Sequence, residues 1–106
     1  LRLMWHARGR QNRDWTVFIH LADTSDTIVA EDNTQPQAGR FPMTQWVAGD
    51  WVEDTHTLHI PATVPPGEYE LRVGLFDAVT NERTAVYSPR GRLMGDYHVL
   101  ATVRVD

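Results

Sequence analysis

The sequence predicts an all-β domain, an antiparallel immunoglobulin-like β-sandwich of about seven strands. Apolar residues alternate with polar ones at a period of two in most segments, which is the pattern of half-buried strands. Turn-forming residues separate these segments at intervals of 8–15 residues, and no segment repeats apolar residues at helical spacing over three turns. The 106 residues contain no cysteine and suffice for one domain over 1–106 with a core that needs no disulfide. A small β-barrel is the alternative architecture.

Alternation assigns each strand and its inward face. The predicted strands span residues 1–6, 14–22, 27–31, 50–60, 68–77, 83–88 and 97–105. Their inward residues are Leu1, Leu3 and Trp5; Trp15, Val17, Ile19 and Leu21; Val52, Asp54, His56, Leu58 and Ile60; Tyr69, Leu71, Val73 and Leu75; and Tyr97, Val99, Ala101, Val103 and Val105. Turns are predicted at 23–26, at 65–67 and at 78–81, where Asn81 takes the left-handed conformation. Residues 89–96 are predicted to form a loop.

The segment 32–48 is a long connection with little strand character, although it carries Phe41, Met43 and Trp46. A loop of this length with its own apolar residues usually packs against the domain or has a function. We expect Trp46 and Phe41 to cap an open end of the sandwich.

The predicted strand 14–22 is apolar on both faces, because Phe18 and His20 lie opposite the inward set. A sandwich strand needs only one apolar face, so something should cover the second one. The cover is either the segment 32–48, the rest of a parent protein, or a sugar stacked on aromatic rings. Trp51 lies opposite Val52 and joins this set. The candidate binding residues are therefore Phe18, His20, Trp51, Trp46 and Phe41.

Composition and charge argue against several function classes. The net charge of −4 argues against a nucleic-acid surface and against an anionic membrane surface. No apolar run reaches the length of a membrane helix, so we expect no direct membrane insertion by this domain. Ser25 and Ser88 lie outside any nucleophile elbow, and a solvated strand face explains Glu68 and Glu70. We therefore predict no catalytic residue and no enzyme activity for the domain.

The spacing of histidines and carboxylates predicts no metal site and no cofactor. His56 and His59 are three residues apart, which places them on opposite faces of a strand. A turn that Asp23 and Asp26 stabilise is a better explanation of these two residues than a Ca²⁺ site. Asp54 is unusual because alternation points its carboxylate inward. A buried carboxylate needs a fixed partner, such as an arginine or loop backbone amides.

Three stretches together resemble a known domain. They are WTVFIHLAD at 15–23, IVAEDNTQPQAGRFPMTQWVAGDWVEDTHTLHIP at 28–61 and PPGEYELRVGLFDAVTNER at 65–83. Their order and spacing are similar to those of a C-terminal β domain of bacterial multi-pass membrane glycosyltransferases of the dolichyl-phosphate-mannose–protein mannosyltransferase type. The departures are modest, such as Phe76 in place of a tyrosine. The resemblance implies an extracytoplasmic domain excised from a longer membrane protein, and it carries over no catalytic residue.

The sequence favours one function and leaves three alternatives open. We expect a non-catalytic accessory domain on the extracytoplasmic face of a bacterial membrane, which packs on or orients its parent protein or a partner. The second reading is a carbohydrate-binding module in which Phe41, Trp46 and Trp51 meet a glycan. The third is a protease inhibitor that presents residues 32–47 or 89–96, and the fourth is an enzyme. The oligomeric state stays open, since an edge strand can pair with a second copy.

Overall fold

The computed structural model describes residues 1–87 and 90–106, and these are mostly β. The strands are β1 (Arg2–His6), β2 (Thr16–Ala22), β3 (Ile28–Thr34), β4 (Trp51–Thr55), β5 (Gly67–Phe76), β6 (Val86–Tyr87), β7 (Leu93–Gly95) and β8 (His98–Val105). Two short 3-10 turns, Pro36–Gly39 and Met43–Gln45, lie between β3 and β4. No helix in the described part of the chain is long and apolar enough to cross a membrane.

Two antiparallel sheets contain six of these strands. The larger sheet has the order β3-β2-β5-β8, and the smaller sheet pairs β1 with β4. The short strands β6 and β7 pair with each other and form a separate ladder. The prediction of an all-β chain with antiparallel pairing is confirmed.

The main core lies between the two sheets and centres on β2, in which all seven residues are buried. Val17 and Ile19 of β2 pack in one cluster with Val52 of β4 and Val73 of β5. Leu21 belongs to a second cluster nearer the 23–26 turn. These residues are among those that alternation predicted to point inward, because side chains two apart share a face of a strand.

The predicted strand over 50–60 is shorter in the structure, where β4 ends at Thr55. The backbone of His56 still exchanges hydrogen bonds with Leu1 at 2.8 and 2.9 Å, just beyond the last ladder pair Arg2–Thr55. Leu58 packs against the core as expected, whereas Ile60 is 42% exposed and the inward prediction for it is wrong.

A β-bulge changes the face of β8. Val99 and Ala101 pair with successive residues of β5, so Leu100 is an extra residue in the ladder. Leu100 packs against the main core, whereas Tyr97 lies over the guanidinium of Arg72 at 4.5 Å. The prediction that Tyr97 and Val99 share the inward face of Val103 is wrong, because one inserted residue reverses the alternation.

The segment 83–96 also differs from the prediction. The expected strand over 83–88 is present as β6, and the expected loop over 89–96 contains the three-residue strand β7. The predicted strand ends at Ser88 and the predicted loop begins at Pro89. Both residues lie outside the described residues. The alternation of such short strands is too brief to be distinguished from a loop in the sequence.

The predicted turns at 23–26 and 78–81 are confirmed. The carboxylate of Asp23 accepts hydrogen bonds from the backbone N–H groups of Ser25 and Thr27 at 2.8 and 2.9 Å, as in an Asx turn. Asn81 has φ of 65°, the left-handed conformation that its side chain tolerates better than most.

Candidate functional site

The five predicted binding residues do not share a surface. Phe18, Trp46 and His20 are buried, with relative exposures of 1%, 3% and 7%. Phe41 is half-buried, and Trp51 is exposed at 66%. Trp51 does not join Phe18 and His20 on one apolar face, because Phe18 and His20 are covered on the larger sheet and Trp51 lies on β4 of the other sheet.

The outer face of β2 is covered by other parts of this chain. The guanidinium of Arg83 lies 4.6 Å from the ring centre of Phe18. The ring also lies against Gly74 of β5, where a Cβ atom would be 2.2 Å from its Cζ. Since the loop residues Phe41 and Trp46 pack on the opposite, inner face, the segment 32–48 does not supply this cover with its aromatic rings.

His20 lies beside Phe18 on this covered face, with its ring centre 4.6 Å from that of Phe18. Its Nε2 is 3.6 Å from a carboxylate oxygen of Glu31. Burial lowers the pKa of His20 most strongly, the charge of Glu31 raises it, and the charges of Arg83 and Arg72 lower it further. The net direction is downward, so the fold favours the neutral imidazole.

The aromatic residues of the segment 32–48 close the inner core. Trp46 donates its indole N–H to the backbone carbonyl of Phe41 at 2.9 Å, and the two rings lie 6.1 Å apart. Met43 and Trp46 pack in the same cluster as Val17. The prediction that this segment packs against the rest of the domain is confirmed, and the burial of Trp46 leaves its ring no face for a sugar.

A buried polar network connects the smaller sheet to its surroundings. Asp54 is fully buried and accepts hydrogen bonds from three donors. These are His56 Nε2 at 2.6 Å, the backbone N–H of Gln37 at 2.8 Å and the indole N–H of Trp5 at 3.1 Å. The other ring nitrogen of His56 lies 3.0 Å from Asp32 Oδ2. The expectation that a loop backbone amide holds a buried Asp54 is confirmed.

This network does not form an active site. A histidine between two carboxylates resembles an acid–base relay, but the side chain of His56 is only 1% exposed. Both of its ring nitrogens are already bonded to Asp54 and Asp32, so neither can reach a substrate or a metal ion. In the described residues no buried side-chain polar atom lacks a partner. The network therefore stabilises the fold.

A second charged cluster lies on the outer face of the larger sheet, around a polar depression. The guanidinium of Arg72 donates to Glu70 at 2.8 Å and also to Asp26. These hydrogen bonds raise the pKa of Arg72, first through Asp26 and then through Glu70. The positive charge of Arg72 thus already pairs with two carboxylates of this depression, those of Asp26 and Glu70.

One pair of aromatic rings is exposed on the smaller sheet. Trp51 and His6 are partners in the β1–β4 ladder, and their rings stack with centres 4.0 Å apart and an angle of 6° between their planes. Because His6 covers one face of the indole and Trp51 is 66% exposed, the other face is open to solvent.

An apolar groove of about 380 Å³ lies between β1 and residues 84–86. We call it the β1 groove; it is lined by Leu3, Met4, Trp5, Val73, Gly74, Leu75, Thr84, Ala85, Val86, His98 and Leu100. A second depression of about 510 Å³ continues it toward Arg8 and Trp15, and Trp5 and Leu75 line both. Sequence reasoning missed the groove, because its walls come from strands that are distant in the sequence.

The β1 groove lies beside a free sheet edge. Leu1 exchanges backbone hydrogen bonds with His56, while Ala7 donates to Asp50 and accepts from Gly49, so odd-numbered residues of this segment direct their N–H and C=O groups toward β4. Even-numbered residues therefore direct theirs to the opposite edge. Within 1–87 and 90–106, β1 has no second neighbouring strand there.

The opposite edge of the smaller sheet is covered instead. The side-chain amide of Gln37 donates to the backbone carbonyl of Glu53 at 2.8 Å, and its backbone N–H bonds to Asp54. The turn Pro36–Gly39 thus lies along β4. Among the described residues, the β1 side of this sheet has both a backbone edge without a pairing strand and an apolar groove.

Neither metal-ligating side chains nor comparisons with known proteins point to another site within the described residues. In the part of the chain that the structure describes, no group of three or more histidine, aspartate or glutamate side chains could hold a metal ion. The sequence matches no family model, and no curated protein or solved structure matches it either.

Proposed function

We propose that this chain is a non-catalytic binding domain that packs on a partner protein through the β1 groove. The observation that carries the proposal is the position of this groove, an apolar channel beside an edge of β1 that no strand within the described residues pairs with. Met4 at its rim is 58% exposed, although apolar side chains of this size are usually buried. Exposed apolar grooves on small domains are typical of interaction sites.

We further propose an immunoglobulin-like sandwich as the fold. The order β3-β2-β5-β8 corresponds to the C′-C-F-G sheet of that fold, and β1-β4 corresponds to its B-E pair. The hydroxyl of Tyr69, near the start of β5, donates to the backbone carbonyl of Pro65 four residues upstream. This is the contact of a tyrosine corner at the start of strand F, and it supports the assignment.

The association with a membrane-bound glycosyltransferase, and the extracytoplasmic location, rest on the sequence resemblance alone. We keep both as proposals. A domain of this kind would hold or orient the parent protein, and the β1 groove is the surface best suited to that contact.

The proposal is tested with anilinonaphthalene sulfonate, a dye that fluoresces on exposed apolar surface. We expect saturable binding at one site, which the substitution Ala85→Trp abolishes because the larger side chain fills the groove. Ala62→Trp, at an exposed position outside the groove, is the matched control and should bind the dye normally. Circular dichroism checks that both variants fold. Equal dye binding by Ala85→Trp and the unchanged chain would contradict the proposal.

A carbohydrate-binding module is the second candidate, and the Trp51–His6 stack favours it. A flat, exposed indole is the surface on which the apolar face of a sugar stacks. A glycan titration followed by tryptophan fluorescence tests it. Binding that Trp51→Ala removes and Met4→Ala retains would favour this candidate, whereas the β1 groove predicts no such binding.

A further inference from the structure

We infer that a depression on the outer face of the larger sheet binds one neutral sugar unit through polar side chains that surround His20. We call it the outer depression; its volume is about 430 Å³, and its lining includes His20, Glu31, Asn33, Phe76, Asn81 and Arg83. It shares no lining residue with the β1 groove, so this inference goes beyond the proposed function. It is also distinct from the Trp51–His6 stack, which lies on the smaller sheet.

The register of the larger sheet brings these side chains together. In the β2–β3 ladder, Glu31 pairs with His20 and Asn33 pairs with Phe18, so all four side chains share one face. On the other side of β2, Gly74 pairs with Phe18 and leaves room for its ring. The ring of Phe18 is buried in the floor of the outer depression.

His20 is the residue that points to a ligand. Its side chain is only 9% exposed, yet neither ring nitrogen forms a hydrogen bond with any described residue. The carboxylate of Glu31 is 3.6 Å from Nε2, which is beyond hydrogen-bond distance. Since every fully enclosed side-chain polar atom in the described residues has a partner, these nitrogens open onto the depression. Polar groups this buried are usually hydrogen-bonded, so a molecule in the depression has to satisfy them.

The hydrogen-bonding groups of the outer depression suit hydroxyl groups. The lowered pKa of His20 keeps its imidazole neutral, with one donor and one acceptor nitrogen. The amides of Asn33 and Asn81 also offer both functions, and neither side chain forms a hydrogen bond among the described residues. A hydroxyl both donates and accepts, so a molecule with several adjacent hydroxyls is the natural complement.

The charges around the depression favour a neutral ligand. Glu31 and Arg83 contribute one charge of each sign, and the guanidinium of Arg83 already lies 3.4 Å from the carboxylate of Asp96. An anion would therefore meet Glu31, and a cation would meet Arg83. Phe76 is half-buried and gives the depression an apolar wall for the C–H face of a sugar. The volume lies near the lower end for ligand pockets, which suits a single sugar unit.

An NMR titration of the whole ¹⁵N-labelled chain with the methyl glycosides of glucose, mannose and galactose tests this inference. Because a few neutral hydrogen bonds contribute little each, we expect at least one glycoside to bind saturably with a Kd of about 1 mM. The largest shift changes should fall on the amides of His20, Asn33 and Asn81. Inorganic phosphate at the same concentrations should cause no saturable change there.

Chain variants test the individual contacts. Asn33→Ala should weaken binding about two- to tenfold, whereas Asn12→Ala, at another exposed asparagine outside the lining, should leave it unchanged. Glu31→Gln keeps the shape but removes the charge, so it should also weaken binding, since hydrogen bonds to ionised groups are stronger. His20→Phe keeps a buried ring without nitrogens and should weaken binding about tenfold. Circular dichroism checks that each variant folds.

The outcomes separate the outer depression from the other surfaces. The inference is overturned if none of the three glycosides binds, or if Asn33→Ala and Glu31→Gln both leave binding unchanged. Saturable phosphate binding at the same amides would overturn the neutral ligand. Sugar binding that Trp51→Ala abolishes and Asn33→Ala retains would overturn this site and favour the Trp51–His6 stack. The proposed function is tested separately, by dye binding to the Ala85→Trp variant.

Discussion

Replacement of Asp54 by asparagine should destabilise the domain strongly. The carboxylate is fully buried and accepts from His56, Gln37 and Trp5 at 2.6–3.1 Å. Asparagine has the same shape, but its NH₂ group faces at least one of these donors. A hydrogen bond to a charged group contributes about 1.5–3 kcal/mol, and separating one partner of a buried pair costs about 3–5 kcal/mol. We expect the free energy of unfolding to fall by about 3 kcal/mol.

Urea unfolding followed by tryptophan fluorescence measures this loss. With a urea m value of about 1.5 kcal/mol/M, the midpoint should fall by about 2 M. Asp50→Asn is the matched control, because the carboxylate of Asp50 accepts from the backbone N–H of Val47 at 3.0 Å near the surface. Asp50→Asn should lower the free energy of unfolding by less than about 1 kcal/mol. Equal losses for Asp54→Asn and Asp50→Asn would refute the view that the buried network stabilises the smaller sheet.

Two further predictions concern the covered face of β2. Gly74→Ala should lower the free energy of unfolding by about 1–3 kcal/mol, since its Cβ would lie 2.2 Å from the ring of Phe18, whereas Gly9→Ala, with no atom within 4 Å, should change it little in the same urea experiment. Burial lowers the pKa of His20 below the ordinary 6.5, so the unfolded chain takes up a proton that the folded chain refuses. Stability should therefore fall as the pH drops through 6.5 and level off below the folded-state pKa. His20→Gln should flatten this part of the stability–pH curve. An unchanged slope would contradict the assignment of this pH dependence to His20.

The strand pattern could be predicted because it depends on local alternation. The inward residues of β2 and β4, including the buried Asp54, follow from a period of two. The turn around Asp23 follows from side-chain chemistry within a few residues. Each of these features is determined by residues close together in the chain.

Features that depend on distant pairing could not be predicted. The bulge at Leu100 is a property of the β5–β8 ladder, and it moves Tyr97 to the outer face without any local signal. The cover over Phe18 comes from Gly74 and Arg83, far along the chain. The β1 groove likewise exists only because β1 pairs with β4 and faces β5 across the core.

The hydrogen-bond partners of Asp54 show how local alternation and distant packing combine. Burial of the carboxylate follows from alternation, and the need for a donor follows from the cost of burying a charge. Which donors it meets depends on the turn Pro36–Gly39, in which Gln37 has the left-handed φ of 54° that aims its N–H at Asp54. No residue type in the sequence marks that conformation in advance.

The most direct test of the binding surface is an amide NMR titration of the uniformly ¹⁵N-labelled chain with anilinonaphthalene sulfonate. The account predicts that the largest shift changes fall on residues 2–6, 84–86 and Leu100, which line or border the β1 groove. Shift changes centred on Trp51 or on β3 would contradict the claim that this domain binds its partner through the β1 groove.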